Sequence, residues 1–74
     1  MARKKIPREP GDIVIRNDGS GLYAIVRMDG QRIGTSNNRR NAMRVACAAA
    51  DETGATVWLC VDAFSDIYSE VLCP

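Results

Sequence analysis

NRRNAMRVACAAADET, residues 38–53, carries the one clear helical periodicity in this chain of 74 residues. Its apolar residues Ala42, Val45, Ala46, Ala49 and Ala50 recur at spacings of three and four, and Ala, Met and Arg are good helix formers. Ser36, Asn37 and Asn38 stand where polar side chains cap free N–H groups, and Gly54 stands where a left-handed residue ends a helix. The pattern therefore predicts a helix over 38–53 with both ends marked.

Outward from the helix, the periodicity changes to two. Residues 12–17, DIVIRN, alternate Ile13 and Ile15 with Val14 and Arg16, and the turn residues at 17–21 close this strand. The next strand, 22–28, runs into Asp29-Gly30, a strong hairpin signal, and 31–36 returns beside it. A two-residue turn would set Met28 against Gln31, Arg27 against Arg32, Val26 against Ile33 and Ala24 against Thr35. In that register Leu22, Ala24, Val26, Met28 and Ile33 share one face, the expected seat of the alanine-rich helix. Tyr23, Ile25, Arg27, Arg32 and Gly34 share the other.

Beyond the helix, ATVWLCVD at 55–62 is a continuous apolar run suited to the interior of a sheet, and 67–73 forms a last strand. The expected architecture is α+β, in the order β-β-β-α-β-β. A four- to five-stranded, mainly antiparallel sheet carries one helix on one face. A helix of this length covers one sheet face only, so Val14, Tyr23, Ile25, Trp58 and Tyr68 are expected on an open apolar face, a natural seat for a partner or for a second copy in a dimer. Residues 1–10 hold two prolines and four bases without periodicity and are expected to be a flexible basic arm, with a single domain over 11–74.

Hydrophobic residues make up 46% of the chain and charged ones 26%, which excludes a disordered segment, and no apolar run is long enough to cross a membrane. The basic N-terminus lacks the apolar core of a secretory signal, so a cytoplasmic location is expected. Cys47, Cys60 and Cys73 form no CxxC pair and are odd in number, and all three are expected to be reduced thiols. The net charge of +1 hides an asymmetry. All ten bases fall in residues 1–44 with four acids, and the other five acids fall in 45–74 with no base. Such a split suits an oriented electrostatic contact with a partner.

For catalysis the chain is poor. It has no histidine, its serines have no evident activating partner, and its DGSG and DGQRIG stretches lack the strand-to-helix context of a phosphate loop. No enzymatic activity, cofactor, metal or small-molecule substrate is expected. Candidate partner contacts are Tyr23, Ile25 and Trp58 on the open face, the pair Arg27 and Arg32, and the arginines Arg39, Arg40 and Arg44 at the helix start. Asp62 and Asp66, beside the last turn, complete the set. The three helix arginines oppose the helix dipole, as do Asp51 and Glu52 at the other end, and an anionic partner would offset that cost. Tyr23 among Arg16, Arg27 and Arg32 is also compatible with a sheet that stacks single-stranded nucleic acid.

The layout GLYAIVRMDGQRIGTSNNRRNAMRVACAAADETGATVWLCV resembles small bacterial and phage proteins in which a hairpin is followed by an alanine-rich helix and a strand. It is also similar to some small phage anti-CRISPR proteins. That resemblance implies a compact α+β inhibitor that acts by protein contact on a host defence complex. A small nucleic-acid-binding module built on the basic half is the alternative expectation.

Overall fold

In the computed structural model, residues 7, 9–17, 19–62, 64 and 67–73 are described. Five strands and one helix follow in the predicted order: β1 (Ile13–Asn17), β2 (Tyr23–Arg27), β3 (Arg32–Ser36), α1 (Arg39–Thr53), β4 (Val57–Asp62) and β5 (Ile67–Val71). They form one sheet in the order β3-β2-β1-β4-β5. Three of its four pairings are antiparallel, and β1 with β4 is parallel, which makes the sheet mixed. The connection β3-α1-β4 therefore joins two parallel strands and passes over β2 and β1, as a helical crossover must.

The helix ends are where the sequence marks them. Asn38 has extended backbone and its side chain accepts from the Asn41 N–H at 3.2 Å, while Gly54 takes the left-handed conformation at φ 70° and donates to the Ala50 carbonyl. Ser36 braces this start, since its hydroxyl accepts from the Asn38 N–H and the Asn41 side-chain amide at 3.2 and 3.1 Å. One turn-spaced stripe, Ala42, Ala46 and Ala50, is buried against the sheet. It meets Ile13, Ile15, Ile25 and Val57, which are all buried. Each such aliphatic side chain contributes about 1.5–3 kcal/mol by leaving water.

The β2–β3 hairpin corrects the expected register. Its loop holds three residues, Met28, Asp29 and Gly30, rather than two. Gly30 donates to the Arg27 carbonyl at 2.9 Å and Arg27 donates to the Gln31 carbonyl at 2.8 Å. Gly30, at φ 101°, takes a backbone conformation that a side chain would strain. The added loop residue shifts the pairing by one, so Val26 rather than Arg27 faces Arg32. A bulge between Ile25 and Val26 then restores the predicted pairing of Ala24 with Thr35. The like-charge pair Arg27–Arg32 does not form, and neither the pairing of Val26 with Ile33 nor that of Met28 with Gln31 is made.

The faces of β2 are also exchanged relative to expectation. Ile15 pairs with Ile25 on one side and with Leu59 on the other, and this row faces α1. Tyr23 and Ile33 pack against the same core. Val14, paired with Val26 and Trp58, lies on the opposite face. Leu22 and Met28, expected under the helix, are exposed. The reason is that Ile13 and Ile15, the bulkier residues of the central strand β1, seat the helix, and antiparallel pairing carries Ile25 to their side.

Candidate partner-binding surfaces

The helix-free face is not open at its centre. Val14 has no exposed area and Trp58 is 7% exposed. The indole N–H of Trp58 donates to Asp12 Oδ2 at 3.2 Å, and Asp12 is itself buried. Asp12 closes a turn with Glu9, donating its backbone N–H to the Glu9 carbonyl at 3.0 Å. Its neighbours are tied down as well: the Pro10 carbonyl accepts from Asp29 and the Asp12 carbonyl from Met28. Pro7 is buried. The described part of the basic arm is thus fastened to the sheet end where Trp58 lies. Of the expected contacts on this face, Ile25 is fully buried in the core, Tyr23 is half-buried against that core, and Trp58 is covered and bonded to Asp12.

The charged candidates are placed differently. Arg32, Arg39, Arg40 and Arg44 are exposed, and Arg27 is half-buried on β2 opposite Ile13. The first turn of α1 has no acid and the last turn no base. Each charge placed against the dipole costs about 0.3–1 kcal/mol at an exposed site. Asp62 is half-buried at the end of β4, and Asp66 lies outside the described residues. Among the described residues no group of three or more Cys, Asp or Glu could hold a metal ion.

Two further features come from the tertiary fold. α1 lies chiefly over β3, β2 and β1, which leaves a groove of about 850 Å³ between its far flank and β5. Met43, Leu59 and Val71 line it, with Arg40 and Arg44 toward the helix start and Asp51 toward its end. Cys47 on α1 and Cys73 after β5 are joined across this groove by a disulfide, with Cα atoms 5.6 Å apart. This corrects the expectation of three reduced thiols: two pair and Cys60, half-buried, remains free. The antiparallel β4–β5 hairpin returns the chain end to the third turn of the helix, a proximity that residue counting alone does not reveal.

The second feature is the outer end of the β4–β5 hairpin. Phe64 is 102% exposed, Val61 61% and Ile67 45%. Ile67 pairs with Asp62, where the ladder is irregular. The Asp62 carboxylate accepts from the Phe64 backbone N–H at 3.0 Å and so ties Phe64 to the end of β4. An acidic residue thereby stands at the base of three exposed apolar side chains. The alternation of the last strands could have hinted at this cluster, but its exposure depends on where the helix stops covering the sheet.

No protein-family model, curated protein or solved structure matches the chain.

Proposed function

We propose that the protein is a small non-catalytic module that binds another protein, with the end of the β4–β5 hairpin as its anchor. The observation that carries this reading is the exposure of Phe64 together with Val61 and Ile67. An aromatic ring kept in water forgoes about 1.5–3 kcal/mol of burial, which a partner's apolar pocket would recover. Buried aromatic anchors surrounded by a polar rim are the usual energetic centres of protein interfaces. Asp62 gives this anchor an acidic neighbour, and the acidic second half of the chain, with no base after Arg44, favours a basic rim on the partner.

Inhibition of a host defence complex, the role implied by the resemblance to anti-CRISPR proteins, is the most specific form of this reading. No catalytic step belongs to it, in keeping with a chain that has no histidine. No helix among the described residues is long and apolar enough to cross a membrane. Where the protein acts is part of the proposal: in the cytoplasm it would meet its partner with Cys47 and Cys73 reduced, whereas an oxidising compartment would keep them joined.

The test is capture of partners from bacterial lysate, with and without nuclease, using the native chain and Phe64→Ser as baits, each with and without a dithiol reductant. A protein held by the native bait and lost with Phe64→Ser supports the reading. Reversal of Asp62 and Asp66 to Lys tests the acidic neighbourhood in the same experiment. Equal capture by all baits rules the hairpin end out. Loss of every partner on nuclease treatment replaces this reading with nucleic-acid binding by Arg39, Arg40 and Arg44.

A further inference from the structure

The charge placed along α1 is unfavourable for an isolated helix and favourable for two. Arg40 and Arg44 flank the start of the groove between α1 and β5, and Asp51 flanks its end. All three are exposed. Arg40 and Asp51 are eleven positions apart, about 16 Å along the axis. Residues 40, 44, 47 and 51 follow the spacing of one helix flank, and all four line the groove. A two-fold axis passing between Val45 and Ala46 would turn this flank onto itself, with Arg40 of each copy against Asp51 of the other.

We propose that this flank is the interface of a homodimer in which two α1 helices pack antiparallel, each closing the mouth of the other's groove, with the two sheets outermost. Three observations select a second copy as the occupant. Of the groove's four charged lining residues, Arg40 and Asp51 form two equivalent ion pairs under the two-fold, while Arg44 stands beside the axis opposite the partner's Cys47 and Glu70 on β5 takes no part in the pairs. The helix dipoles run antiparallel in such a pair, so the basic start of one helix meets the acidic, electronegative end of the other. The surface between the charges is largely apolar: Met43 is half-buried in the groove, the Cys47–Cys73 bridge crosses it, and Leu72, at 86% exposure, stands at its edge. Val61, Phe64 and Ile67 do not line the groove, so the dimer does not rest on the hairpin reading. Both surfaces can be engaged together, and a dimer would present two hairpin ends and bind a repetitive partner bivalently.

Sedimentation equilibrium over a concentration series tests this with the native protein, Arg40→Asp, and Arg40→Asp combined with Asp51→Arg. The native chain should associate reversibly to a dimer. Arg40→Asp sets like charges together at both pairs and should weaken the dimer by at least about tenfold. The double variant restores opposite charges and should recover dimerisation. Because both positions are exposed, circular dichroism should show the same fold in all three. A native chain that stays monomeric throughout the series overturns the proposal. So does an Arg40→Asp variant that dimerises like the native protein, or a double variant that recovers nothing.

Discussion

Removing the Cys47–Cys73 cross-link, by Cys47→Ala with Cys73→Ser, should be among the most destabilising changes this chain can suffer while keeping its fold. The bond closes a loop with a sequence separation of 26 residues. In the chain-entropy account, a loop of that length restricts the unfolded chain by about 3.5 kcal/mol at 25 °C. A domain of this size has a total stability of about 4–11 kcal/mol, so the loss takes a third of it or more. The melting temperature should fall by about 14–28 °C, at about 4–8 °C per kcal/mol. The loss should be felt first at β5, which is an edge strand paired with β4 alone and lies beyond the main footprint of α1. Guanidinium unfolding followed by circular dichroism, with and without a dithiol reductant, measures it. Reductant should lower the native midpoint to that of the double variant and leave the double variant unmoved. Cys60→Ala should respond to reductant as the native chain does. A native unfolding free energy that reductant lowers by less than about 1 kcal/mol would show that the cross-link does not carry this stability, as would alkylation of Cys47 in the folded, unreduced protein.

Two other changes probe the sheet. Trp58→Phe keeps the ring but removes the buried indole donor to Asp12, and should cost about 1.5–3 kcal/mol in urea unfolding, the range for hydrogen bonds to a charged group; an unchanged midpoint would mean that the contact contributes nothing. Gly30→Ala meets no atom within 4 Å but must hold φ near 101°, so it should cost about 1–2 kcal/mol through backbone strain alone; a stabilised variant would contradict the three-residue loop.

Which parts of this fold could be read in advance follows from the range of the interactions that decide them. The helix was legible because its signals are local: Asn38 and Gly54 act on their own neighbours, and the alanine stripe repeats within four residues. The interior position of β4 was legible from its unbroken apolar run, and the order of elements followed from the turns. The faces of β2 were not, because Ala24 and Val26 are as plausible a core as Tyr23 and Ile25 until pairing with Ile13 and Ile15 chooses between them. The hairpin loop misled in a related way. Asp29-Gly30 marks both a two-residue turn and a three-residue loop, and the bulge near Ile33 hides the difference further along the strands. Among the candidate contacts, the arginines of α1 were found at the surface because charge predicts exposure. Ile25 and Trp58 were misplaced because an apolar residue alone does not tell which layer covers it. The disulfide, the groove and the exposed hairpin end all depend on how far α1 reaches across the sheet, which is a property of the assembled fold.

The central functional claim is that the chain meets its partner at the end of the β4–β5 hairpin. Its most direct test is site-specific photocrosslinking in nuclease-treated lysate, with a benzophenone amino acid replacing Phe64 in one sample and the exposed Thr53 in another. Docking through the hairpin end should give a discrete protein adduct from position 64 that position 53 does not give and that excess native chain competes away. Adducts that are the same from both positions, or none from position 64 while position 53 crosslinks, would contradict it.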